Sequence, residues 1–133
     1  ASGSLGFGVY YDGEWFNSSW LPLQQPLCIA YKELFPIVLA CHVWGTSWAR
    51  KHVEFQCDNT AVVSGTSKDE QLMHLLRALY LVSTHYNFQV TGKHVPGKSN
   101  RLADALSQFQ MTEFFKLAPQ AAPKPVMVPA ELL

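Results

Sequence analysis

Apolar and small residues alternate from Leu5 to Tyr11, as they do along a half-buried strand. Asp12-Gly13 follows, a strong two-residue turn signal, and Glu14 to Leu21 reads as the returning strand, ended by Pro22. The chain is therefore predicted to open with a β-hairpin. Gly6 and Gly8 lie two apart, on one face, where a neighbouring backbone or side chain must come close. The hydrophobic period then changes. Leu34, Val38, Cys41, Trp44 and Trp48 recur at spacings of three and four and predict a helix over 31–48. Pro36 sits awkwardly in that helix and implies a late start or a kink. Val53 to Cys57 alternates as a strand and ends at Asp58-Asn59; Thr60 to Ser64 reads as a short turn or helix. Ser67 and Glu70 form a capping box for a helix reaching Tyr86, with Leu72, Leu75, Leu76, Leu79 and Val82 turned inward. A strand over 88–95 breaks at Pro96-Gly97, and Asn100 is a suitable N-cap for a last helix to about Gln108.

This order of strands and helices predicts an α/β fold, a mixed sheet with helices on its faces. The character of the chain changes near Phe109. Residues 1–109 read as one domain, and 110–133, where Pro119, Pro123, Pro125 and Pro129 are interleaved with Ala and Val, as a Pro/Ala-rich linker or tail. Apolar residues make up 48% of the chain and charged residues 15%, enough for a real core. The formal net charge is zero, so no global field draws the chain to nucleic acid or to a membrane; such binding must come from local clusters. No apolar run approaches the roughly 18 residues of a membrane span. Cys28, Cys41 and Cys57 are odd in number, far apart and in apolar contexts, and read as reduced thiols of an intracellular protein, cytoplasmic or nuclear. No signal-peptide pattern is present. A chain starting at Ala1 on a Gly/Ser-rich turn is read as a segment of something longer.

Three acids share a feature. Glu33 falls near a helix start, Asp58 at the C-terminal end of a strand, and Asp104 at a helix start after another strand, among Leu102, Ala103 and Ala105. Strand C-termini and the helix N-termini that follow them share one edge of an α/β sheet, where sites are built. Carboxylates gathered there repel unless a cation lies between them. Oxygen ligands alone suit Mg²⁺ or Mn²⁺. His94, at the end of a strand and before a loop, could assist proton transfer. Lys98 and Arg101 flank this edge and could grip phosphates, as could Arg50, Lys51 and His52. Against this stand plainer readings: a helix-dipole glutamate, a strand-end turn at Asp58-Asn59, a capping Asn100 and a solvated basic surface. The four Trp residues read mostly as core, with Trp15 or Trp20 as a minor possibility for base stacking. His42, His52, His74 and His85 lack zinc-ligand spacing.

The stretches IAYKELFPIVLA, VEFQCDN and HVPGKSNRLADALS resemble the ribonuclease H domain of retrotransposon reverse transcriptase polyproteins. The resemblance is nearest to DIRS-type, tyrosine-recombinase elements and more distant to the gypsy type. It implies a ribonuclease H-like sheet and an endonuclease cutting the RNA strand of RNA–DNA hybrids with two divalent ions. It also implies a reverse transcriptase domain in the same polyprotein. By the resemblance, Glu33, Asp58 and Asp104 match three of the family's four metal-binding acids. His94 matches its flexible-loop histidine, and Asn59 and Asn100 match substrate-groove positions. The departures are specific. The family's first strand and its terminal Asp would lie before Ala1, so the central strand is expected to be missing from this chain. Gln108 stands where the pattern has Arg, and the segment after Asn59 is short. Fewer carboxylates hold a cation poorly. The expectation is therefore a hydrolase domain in the parent protein, impaired in this chain. The alternative is an inactive remnant keeping only the fold or a nucleic-acid-binding surface.

Overall fold

The computed structural model describes residues 5–27, 29–57, 70–94 and 100–129. Strands β1 (Gly6–Tyr11) and β2 (Glu14–Ser19) form the expected antiparallel hairpin, with Tyr11 opposite Glu14. Asp12 and Gly13 have φ of 49° and 84°, the left-handed pair that a two-residue hairpin loop requires. Alternation along the strands sends side chains to two different cores. Phe7, Val9, Tyr11 and Phe16 join one cluster; Tyr10 and Trp15 join the other. Gly8 shows why that position cannot carry a side chain: a Cβ there would lie 2.3 Å from Leu106 Cβ and 2.9 Å from the Ser107 nitrogen.

Helix α1 (Ile29–Trp44) begins two residues before the expected Tyr31 and gives way to a 3₁₀ turn over Gly45–Trp48. Every residue from Glu33 to Cys41 is buried, so α1 is central and has no solvent face in that stretch. Pro36 is its eighth residue and fully buried. The helix runs through it, although the proline ring cannot donate to the Lys32 carbonyl. α1 packs against β1 and against α2 (Glu70–Tyr86), whose Leu72, Leu75 and Val82 are buried as expected, while Tyr80 and Leu81 are exposed. Ser67, and with it the proposed capping box, lies outside the described residues, as does the turn over 60–64. Strands β3 (His52–Cys57) and β4 (Gln89–His94) pair in parallel, His52 opposite Gln89 and Cys57 opposite His94, with α2 in the crossover that parallel neighbours need.

The class is thus mixed α/β with two small sheets, β1–β2 and β3–β4, which share no ladder among the described residues. No helix of the described residues is long and apolar enough to cross a membrane.

The hairpin's second face is covered by α3 (Arg101–Ser107) and α4 (Met111–Leu117). The stretch expected as a linker is docked as far as Val128, which packs against the core. Phe114, Ala118 and Ala121 are buried with Trp15, Ala105 and Leu106. Beyond α4, the Ala122 amide donates to Gly13 O at 2.8 Å, the Val126 amide donates to Trp15 O at 2.8 Å, and the Trp15 indole donates to Ala122 O at 2.7 Å. Proline favours the extended backbone needed to lie along a strand edge, and the residues between prolines keep their donors. The outer edge of β2 is therefore covered.

Cys41 is fully buried in α1, and burial pushes its thiol up to about 12. The unfolded thiol ionises near pH 8.5. The folded state thus holds its proton longer, and this contribution to stability is complete below about pH 8.5 and is lost as pH rises towards about 12. Iodoacetamide at pH 8 is expected to leave Cys41 unmodified in the folded chain and to alkylate it fully in urea, read by peptide mass mapping. Alkylation at equal rates in both states would contradict its burial.

Candidate active site

Between the sheets runs a groove of about 520 Å³. Its walls are residues 8–12 of β1 and its turn and residues 53–56 of β3; Glu33, Pro36, Ile37, Trp44 and Trp48 line it from α1 and the 3₁₀ turn, and residues 100–103 from the start of α3. Glu33 is only 6% exposed, in the second turn of α1 rather than its first. A carboxylate so placed is costly unless it is paired or hydrogen-bonded.

Of the predicted site residues, the structure brings Glu33, Asn100 and Arg101 to this groove. Asn100 occupies the N-cap position of α3, as expected, yet its side chain makes no capping hydrogen bond. Arg101 lies 3.7 Å from Glu113 Oε1, and both side chains are well exposed, so the pair contributes little to stability. Asp104 is one turn further along α3; its amide donates to Asn100 O at 3.0 Å. It is partly exposed and lies outside the groove lining. Its carboxylate accepts from Gln108 Nε2 at 3.2 and 3.3 Å. Gln108 therefore holds the acid with a neutral amide.

Asp58, Asn59 and Lys98 lie outside the described residues, as does the side chain of His94. The backbone of His94 is placed: it ends β4 opposite Cys57, which ends β3. Among the described residues, no group of three or more His, Cys, Asp or Glu could hold a metal ion. Glu33 and Asp104 are the predicted ligands within that set, and their oxygen donors are of the kind that suits Mg²⁺ or Mn²⁺.

The stacking role considered for Trp15 and Trp20 is not available, because both rings are buried. Lys32 Nζ lies 5.6 Å from the centre of the Trp20 ring, a contact internal to the chain. Arg50 and Lys51 are exposed, and His52 Nε2 is 2.8 Å from Thr91 Oγ1. Sequence reasoning missed that Trp44, Trp48 and Glu54 line the groove. Their spacing carries the signal of a core stripe and an alternating strand, and nothing in it marks a cavity. Comparison with protein-family models, curated proteins and solved structures gives no match to this chain.

Proposed function

We propose that the chain is a ribonuclease H-type domain of a retrotransposon polyprotein, DIRS-like in its motifs. In the parent protein it cuts the RNA strand of RNA–DNA hybrids beside a reverse transcriptase domain. One observation carries this reading. A buried acid, Glu33, lines a groove together with the start of the helix that bears Asp104. The finer fold reading follows from it: the groove between β1 and β3 is where a ribonuclease H-like sheet has its central strand.

Glu33, Asp104 and, in this reading, Asp58 would hold Mg²⁺ or Mn²⁺. Bound there, the ions supply polarisation of a phosphoryl oxygen and a water of lowered pKa. The chain's own residues bind and orient the hybrid. Arg101 and Lys98 contact phosphates, Asn59 and Asn100 line the strand's path, and His94 passes a proton at the leaving oxygen.

The test is hydrolysis of a labelled RNA–DNA hybrid in Mg²⁺ and in Mn²⁺. Cleavage is expected, lost at least 100-fold in Glu33→Gln, more than the roughly 10–100-fold that changes around a metal site cost. Cleavage untouched by Glu33→Gln rejects the reading. Hybrid binding with no hydrolysis and no millimolar metal binding assigns the chain to the remnant class instead.

A further inference from the structure

We infer that the outer edge of β4 is a docking site for an extended acidic peptide of a partner protein, added to the β3–β4 sheet as an antiparallel strand. The inference stands on the backbone and the charge of β4 and does not depend on the proposed hydrolysis.

One hydrogen bond fixes which groups of β4 point outward. The Gln89 amide donates to Lys51 O at 2.9 Å, and Gln89 is in register with His52. In a parallel ladder, a residue that donates to the residue before its partner turns both its N–H and its C=O towards that strand, and its neighbours turn theirs away. Gln89, Thr91 and Lys93 therefore bond to β3, whereas Val90 and Gly92 present N–H and C=O on the opposite edge. That edge is not a wall of the groove: β3 contributes residues 53–56 to the lining and, among the described residues, β4 contributes none. Among the described residues β4 is in a ladder with β3 alone. Thr91, Gly92 and Lys93 are all exposed. Successive residues of a strand face opposite sides, so this run is open on both faces, and the exposed surface of Gly92 is backbone. An open edge of this kind is a template for another strand.

Charge selects the occupant. β4 carries Lys93 and no acid. A second copy paired through the same edge would bring two lysines to the joint and no carboxylate. Glu54, the acid of β3, lies on the groove side. A partner strand with a carboxylate opposite Lys93 gains a cross-strand ion pair instead. Val90 sets the other requirement. It packs against the core, so the partner's residues on its face are apolar, and those on the face of Thr91 and Lys93 are polar. Antiparallel pairing is the more stable of the two directions. The occupant thus alternates apolar and polar residues over about five positions, with Glu or Asp opposite Lys93; main-chain hydrogen bonds to Val90 and Gly92 supply affinity and the acid supplies selection.

The full chain is to be titrated with the peptide Ac-TEVTVTS-NH₂, whose glutamate falls opposite Lys93 and whose valines fall opposite Gly92 and Val90. The comparisons are Ac-TKVTVTS-NH₂ and the first peptide N-methylated at both valines. Amide hydrogen exchange is followed at Val90 and Gly92 by NMR. The acidic peptide is expected to slow exchange at both amides by about tenfold or more, the sign of new protected hydrogen bonds. The lysine peptide is expected to bind at least about threefold more weakly, the scale of an exposed ion pair, and Lys93→Glu to reverse that preference. The methylated peptide is expected to leave exchange unchanged. Exchange unslowed at either amide, equal slowing by the methylated peptide, or equal affinity for the acidic and lysine peptides overturns the proposal. Protection that rises with protein concentration and needs no peptide assigns the edge to a second copy and overturns it as well.

Discussion

Replacing Trp48 by alanine is expected to remove about 3–5 kcal/mol of stability, the range for losing a large buried aromatic side chain. Trp48 is 1% exposed and joins parts of the molecule that share no ladder. Its ring meets Tyr11 of β1 at 5.3 Å, Phe55 of β3 at 6.0 Å, Phe88 at the entry to β4 at 5.3 Å and Trp44 of α1 at 6.2 Å, most of them edge-on. Such pairs add roughly 0.5–1.5 kcal/mol each beyond burial. With no strand pairing between the sheets among the described residues, aromatic packing carries much of their connection. A domain holds only about 5–15 kcal/mol in total, so the alanine variant should lose about a fifth of it or more.

The phenylalanine variant sharpens the test. Among the described residues, the buried Nε1 of Trp48 has no hydrogen-bond partner. A buried donor left unsatisfied costs about 1–3 kcal/mol, and Trp48→Phe removes that donor together with part of the ring. Its loss is expected to be clearly smaller than that of Trp48→Ala, read as the urea midpoint followed by circular dichroism. Equal losses in the two variants, or a loss below about 1 kcal/mol in Trp48→Ala, would show that the ring does not connect the sheets.

The hairpin was legible in the sequence because its signals are local. Asp12-Gly13 states the turn, alternation states the faces, and Gly6 and Gly8 mark a close approach that Leu106 makes at Gly8. Helix α1 was legible in kind but not in its bounds. Burial on all sides from Glu33 to Cys41 leaves no polar stripe to define a face, and the same burial lets Pro36 sit mid-helix. The candidate site was legible in residue type and less so in place. Glu33 and Asn100 reach one groove, whereas Asp104 stands a turn away with Gln108 on its carboxylate. A long-range cavity is a property of how elements assemble, and a period along the chain cannot report it. The docked C-terminal stretch was not legible for a similar reason. Proline content reads as a linker, yet the partners that fix the stretch, Gly13 O, Trp15 O and the Trp15 indole, lie more than a hundred residues earlier.

Replacing Phe114 by alanine is expected to cost about 3–5 kcal/mol as well, and it tests whether residues 110–129 belong to the fold. Phe114 has no exposed surface. Its ring packs on Tyr10 at 6.1 Å, Trp15 at 5.4 Å and Phe115 at 5.2 Å. Helix α4 has seven residues, well short of the roughly 12–15 at which an isolated helix becomes even marginal in water. It therefore exists because Phe114 anchors it on the hairpin. Loss of the anchor should release the segment that follows, including the edge pairing of Ala122 and Val126. Two readouts separate this from a general loss of stability. Trypsin should cut at Lys116 under conditions where Arg77, within α2, stays intact. Amide exchange should quicken at Ala122 and Val126 before it does in β1. A linker would behave otherwise, with Phe114→Ala leaving the urea midpoint within about 0.5 kcal/mol of the parent, as surface substitutions do. The distinction bears on the groove too. Tyr10, which lines it, rests its ring on Phe114, so a released α4 would loosen that wall of the groove.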